Sequence, residues 1–186
     1  MKINLMPSTC LAPVPAVMVT CGDETENNII TLAWVGTVNS EPPIVSISVR
    51  YARHSLPLIE QTGEFTVNLV SQDLLHATDV CGVVSGRNGD KFAAAGLTRA
   101  KGVRVRCPYI QESPASLECK VISRNDFGTH AVIFGEVVNV IADETYVKEG
   151  KLSLPDGLLI AYQNGRYIAT GETLGTYAYT AKENKK

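Results

Sequence analysis

Two arginines, a histidine and a serine crowd the end of an alternating pattern in Ser48-Val49-Arg50-Tyr51-Ala52-Arg53-His54-Ser55. Where a strand hands over to a helix, the first helical N–H groups are unpaired and the helix dipole is positive. A guanidinium and a hydroxyl placed there can converge on one anion. Charge-assisted hydrogen bonds of that kind are worth roughly 1.5–3 kcal/mol each. The same residues also suit solvated loop arginines and a plain Ser55 N-cap, and local sequence leaves both readings open. A second helix start, Ser85-Gly86-Arg87-Asn88-Gly89-Asp90-Lys91-Phe92, offers pliable backbone and cations that can close over the same anion. It has neither the spacing of a P-loop nor a Rossmann G-x-G-x-x-G. Upstream, Asn28-Ile29-Ile30-Thr31-Leu32-Ala33-Trp34 is an apolar, β-branched run ending in the only tryptophan. A flat side chain there suits a planar ligand as well as it suits a core. Together these stretches describe an apolar slot with a polar mouth of phosphate size.

The elements that position these residues are mostly strands. Val14–Cys21 is short, valine-rich and bounded by Pro13 and Gly22-Asp23; it reads as a buried strand. Asn28–Val38 reads as the next strand, with Gly36 marking a bulge or a close backbone approach. After Pro42-Pro43, Ile44–Val49 alternates Val45, Ile47 and Val49 with Ser46 and Ser48, giving one apolar and one hydroxyl face. A helix over 56–62 follows, with Gly63 at its end, and then a strand over 64–70. A helix is expected over 72–84, and a short one after Asp90, capped by that residue and stopped by Gly96. Ala115–Ser123 and His130–Ala142, with the turn composition Asn125-Asp126-Phe127-Gly128 between them, form a long hairpin. Asn164-Gly165 joins a last one over 158–170. About eight strands and a few short helices point to a β-rich barrel.

Composition bounds the function. With 186 residues, 45% hydrophobic and 19% charged, the chain is expected to form one domain over 1–186, with its core at about 15–170. A net charge of −2 gives no global case for nucleic acid, so any cationic site is local. No apolar run reaches the roughly 20 residues of a membrane span, and prolines interrupt the N-terminal stretch, so cytoplasm is the default. Five cysteines without a C-x-x-C pair suggest reduced, mostly buried thiols, Cys81 among them as a small filler. Three scattered histidines make no metal site. The last residues, KENKK, read as a frayed tail.

Six motifs in order, NIITLAW, PPIVSISVRYARHS, GEFTVNL, CGVVSGRNGDKF with AAAGL, SLECKV and THAVIFGEVV, closely resemble the flavin-reductase-like FMN-binding split-barrel family, flavoredoxins included. The resemblance covers nearly the whole chain. It implies a mainly β fold, a six-stranded antiparallel Greek-key barrel with short flanking helices. It also implies a homodimer with FMN near the subunit interface. By that resemblance Thr31, Leu32, Ala33 and Trp34 lie along the flavin, and Ser48, Val49 and Arg50 offer backbone contacts to its ring. Arg53, His54 and Ser55 occupy the phosphate-binding stretch, Ser85 and Gly86 the loop beside the cofactor, and Lys91 the phosphate or ribityl region. His130 matches a histidine near the nicotinamide or flavin edge and is the one candidate for a catalytic role.

Two functions follow from that resemblance. One is an enzyme in which NADH or NADPH reduces bound FMN, which passes electrons to free flavin, ferric complexes or another small-molecule acceptor. The other is a flavoredoxin-type electron carrier with no NAD(P)H site of its own, exchanging electrons with a redox protein partner. A non-redox flavin-storage protein is a third, weaker reading.

Overall fold

Alternation along the strands resolves into one antiparallel sheet of seven strands in the computed structural model, which describes residues 1–183. The tail expected to fray, residues 182–186, falls at and beyond that limit. The strands are β1 (Val17–Gly22), β2 (Asn27–Leu32), β3 (Val35–Ser40), β4 (Pro43–Arg50), β5 (Glu64–Leu69), β6 (Ala115–Asp126) and β7 (His130–Ala142). Their spatial order is β2-β1-β5-β6-β7-β4-β3. The two edge strands, β2 and β3, are consecutive in the chain, so the sheet curls until its edges meet at Ala33–Trp34. The single strand expected over 28–38 is therefore two: up to Leu32 the chain pairs with β1, and from Val35 it pairs with β4. Counted as one broken strand, β2 and β3 give the six strands of a split barrel. A β-branched run carries no local mark of such a change of partner.

The bulge expected at Gly36 also lies elsewhere. Gly36 pairs regularly with Ser46, and the register shifts between Thr37 and Asn39. The register of β7 against β6 also shifts between Phe134 and Gly135. A Cβ on Gly135 would stand 2.5 Å from the Phe65 ring, which fills the barrel. Gly135→Ala is therefore expected to destabilise by about 1–3 kcal/mol through overpacking, read as a lowered urea midpoint at unchanged slope.

The continuous apolar composition of β1 reflects burial on both faces. Val17, Val19 and Cys21 point into the barrel with Ile47, Val49, Phe65 and Ile133. Met18, on the other face, packs beneath the helices with Ile29, Leu74 and Phe92. The helices are α1 (Ser55–Thr62), α2 (Leu75–Val83, entered by a 3-10 turn over Gln72–Leu74) and α3 (Lys91–Ala95). Asp90 caps α3 by accepting from the Phe92 and Ala93 N–H groups, and Gly96 ends it in a left-handed conformation. The short strand Val14–Pro15 splits from β1 to pair with the terminal hairpin, Ile160–Gln163 and Arg166–Ala169, turned at Asn164-Gly165 with positive φ at both. Among the described residues no helix is long and apolar enough to cross a membrane. All five cysteines are free; four are buried, and Cys10 is exposed on the N-terminal arm.

Candidate functional site

The break between β2 and β3 leaves Trp34 at the seam, 46% exposed, with its ring 4.7 Å from that of His130 and tilted 31° to it. His130 opens β7 directly across the ladder from Arg50, the last residue of β4. Because opposed residues share a face, Arg50 and Ser48 line the same side of the sheet as His130. These residues border an open cavity of about 560 Å³, as do Thr31, Leu32, Ala33 and Arg53. That volume lies within the roughly 300–1,000 Å³ of small-molecule sites. Burial and the charge of Arg50 pull the His130 pKa below its usual value, so the ring is neutral at pH 7. Its Nδ1 is 2.7 Å from Thr129 Oγ1.

The terminal hairpin forms the facing wall. Tyr162 and Tyr167, paired across the Asn164-Gly165 turn, pack edge to face with centroids 5.6 Å apart. The Tyr167 hydroxyl donates to Asp79 Oδ1 of α2 at 3.3 Å, fastening the hairpin to the helix. Burial, then the Asp79 charge, pushes this phenol up to about 12, so it stays protonated and can donate. The Asn-Gly turn announced the hairpin. The symmetric tyrosines around it were the available sign of an aromatic wall, but its docking over the sheet is a long-range event.

A second, smaller cavity of about 60 Å³ lies next to the first. Asn28, Arg53, His54, Ser55, Ser85, Gly86 and Lys91 are among the residues that line it. Arg53 borders both cavities. Its guanidinium is 3.4 Å from the Gly82 carbonyl at the end of α2, a long contact that leaves most of its donors free. Lys91 is only 5% exposed, and its ammonium donates to the Ile29 and Cys81 carbonyls at 2.8 Å each, leaving one N–H for a ligand. Burial lowers its pKa, as does the charge of Arg53, and the buried thiols Cys81 and Cys21 oppose that shift. Cys81 belongs to α2, not to a glycine-rich loop, and burial pushes its thiol up to about 11, away from thiolate chemistry.

The structure thus gathers every expected site residue around these two cavities except Val49. Its side chain is fully buried in the barrel, leaving only its main chain to offer. Ser55 is not the N-cap expected of it. His54 holds that position without a side-chain cap, and Ser55 is the buried first residue of α1, its Oγ accepting from Asn28 Nδ2 at 2.8 Å. His54 Nε2 lies 3.5 Å from Glu26 Oε1. Asn28 was not singled out from the sequence, yet it holds Ser55 and packs against Gly86, where a Cβ would stand 2.4 Å from its Oδ1. Arg87 ties the 85–90 loop across to the Ala52 carbonyl at 3.1 Å.

A cavity with aromatic walls beside a small pocket of cations and hydroxyls, with Arg53 bordering both, matches the donor chemistry of a planar ring that carries a phosphate. Comparisons with known proteins bear on the family and the fold. The model of the flavin reductase like domain matches residues 10–171. The chain belongs to the flavin reductase-like family. Family members of known structure share the fold throughout. Flavoredoxin of Desulfovibrio vulgaris (Miyazaki F) is 32% identical, with a TM-score of 0.87 over 97% of this chain and all of its own. Flavoredoxin from Methanosarcina acetivorans is 27% identical, with a TM-score of 0.85 over 99% of this chain and 98% of its own. Among curated relatives, the uncharacterised protein YddH of Escherichia coli (strain K12) is 30% identical over 85% of this chain and 87% of its own. The family's split barrel is thus the architecture described above, with β2 and β3 meeting at the seam.

Proposed function

We propose that the protein binds FMN, with the isoalloxazine in the larger cavity and the phosphate in the smaller. We further propose that it acts as an NAD(P)H-dependent flavin or ferric reductase, as a homodimer in the cytoplasm. The observation that carries the cofactor assignment is that Arg53 borders both cavities. An aromatic slot alone would suit many rings, and a cationic pocket alone many anions. Sharing one guanidinium, they suit a ring with a phosphate on a short tether. Thr31 to Trp34 and the main chain of Ser48 to Arg50 then flank the ring, and Ser55, Arg53 and the remaining Lys91 N–H face the phosphate. Ser85 and Gly86 close the phosphate end.

When bound, the flavin supplies the hydride and single-electron chemistry. The chain's own residues hold it, orient it and limit access to it. Ser48 places a hydroxyl on the cavity face, while the tyrosine hairpin shields one side from water. His130, neutral and beside Trp34, is the group placed to orient a nicotinamide, and no side chain has to act as acid or base.

The similarity to two flavoredoxins favours a second reading, an electron carrier that takes electrons from a redox protein. Anaerobic stopped-flow of the FMN-loaded protein with NADH and then NADPH separates the two. Fast bleaching of the flavin by either nucleotide, slowed in His130→Ala at nearly unchanged FMN affinity, is the outcome expected of the reductase. A flavin that stays oxidised with both, yet bleaches with dithionite or a reduced ferredoxin, makes the protein a carrier. A protein that takes up no FMN removes both readings.

A further inference from the structure

The larger cavity carries a charge that the phosphate assignment does not use. Besides the phenols of Tyr162 and Tyr167, a group type uncharged at pH 7, four side chains with ionisable groups border it: Arg50, Arg53, Asp79 and His130. Asp79 receives the Tyr167 hydroxyl, and Arg53 turns toward the Gly82 carbonyl and the smaller cavity. The His130 ring is neutral at pH 7, for the reasons given above. Arg50 alone is left. It borders the larger cavity and not the smaller, and among the described residues its guanidinium makes no ion pair or hydrogen bond.

Position makes this free charge specific. Arg50 ends the row Ser46, Ser48, Arg50 on one face of β4, and the ladder holds it opposite His130, whose ring stacks near Trp34. A planar fork of donors therefore borders the same cavity as the Trp34 and His130 rings. Guanidinium matches carboxylate with two parallel hydrogen bonds, and an aromatic wall beside it accepts a flat ring.

We propose that Arg50 is a specificity residue for a second ligand of this cavity, a planar aromatic carboxylate whose carboxylate meets the guanidinium while its ring lies against the bound flavin. The inference rests on the FMN reading above, and it predicts which compounds share the cavity with the cofactor.

Benzoate and benzamide are nearly the same shape and differ in charge. Each is titrated into the FMN-loaded protein, followed by calorimetry and by the perturbation of the flavin visible band. Benzoate is expected to bind at least about tenfold more tightly than benzamide, as a single charge-assisted hydrogen-bonded pair provides. In Arg50→Met that preference is expected to vanish; in Arg50→Lys, which keeps the charge without the fork, it survives in part. Because each comparison is a ratio within one protein, a change in FMN retention affects both ligands alike. Equal affinities in the wild type, no binding of either compound, or a preference that persists in Arg50→Met overturns the role of Arg50. Failure to take up FMN at all is a different result, visible before any titration, and it falls on the cofactor reading.

Discussion

Arg53→Ala is expected to weaken FMN binding by about 10- to 150-fold while leaving riboflavin affinity within a few-fold, because the lost interaction is a charge-assisted bond worth roughly 1.5–3 kcal/mol. Riboflavin carries the same ring without the phosphate, so the pair isolates the group that Arg53 would hold. The fold has little reason to respond. The Arg53 main chain stays tied through its N–H to Arg50 and through its carbonyl to Leu56, and its side chain makes only the long contact to Gly82. Titrating flavin fluorescence on the apoprotein measures both affinities. Equal losses for the two flavins would take Arg53 off the phosphate and place it along the ring, and no loss for either would leave it a solvated arginine.

The largest stability effect is expected at Glu118. Its carboxylate is fully buried, and it accepts from the Val103 N–H at 2.6 Å, the Arg104 N–H at 2.9 Å and Asn139 Nδ2 at 2.9 Å. One side chain in β6 thereby pins the 101–107 loop and a neighbouring residue of β7. Glu118→Ala removes a carboxylate and strands these donors, each unsatisfied group costing about 1–3 kcal/mol where water cannot reach it. A loss on the order of 4 kcal/mol is expected in urea unfolding. Hydrogen exchange at the Val103 and Arg104 amides should quicken more than at β1 or β5. Amides that keep their protection would show that the loop is held from its other end, where Thr20 donates to the Pro108 carbonyl at 2.5 Å.

Glu118 also shows where sequence patterning stops. Alternation along β6 set Ser116, Glu118 and Lys120 on the polar face, and polar faces are expected to meet water. Lys120 does; Glu118 lies beneath the 101–107 loop, and the buried Ser116 donates to Asn68 Oδ1 of β5. What depends on local chemistry was legible: the Asp90 cap, the glycine stops at Gly63 and Gly96, and the hairpin at Asn164-Gly165. What depends on closure was not. The seam at Ala33–Trp34 exists because the chain leaves one sheet edge to become the other, which no residue in a uniform β-branched run announces. For the candidate site, the stretches around Trp34, Arg53 and Lys91 stood out by residue type. The resemblance to a family proposed a common purpose for them, and the fold then set them around two neighbouring cavities. Asn28 escaped notice because it reads only as the first residue of a strand, whereas its side chain donates to Ser55, a contact made 27 residues along the chain.

Lys91 has a consequence beyond ligand recognition. Burial disfavours its cation, the charge of Arg53 adds to that, and an anion at its remaining N–H would offset both. An anion that binds only the folded chain shifts the folding balance by mass action. The amount of intact protein in a cell would then follow the supply of its ligand, since the empty chain opens more often and is cleared faster by proteases.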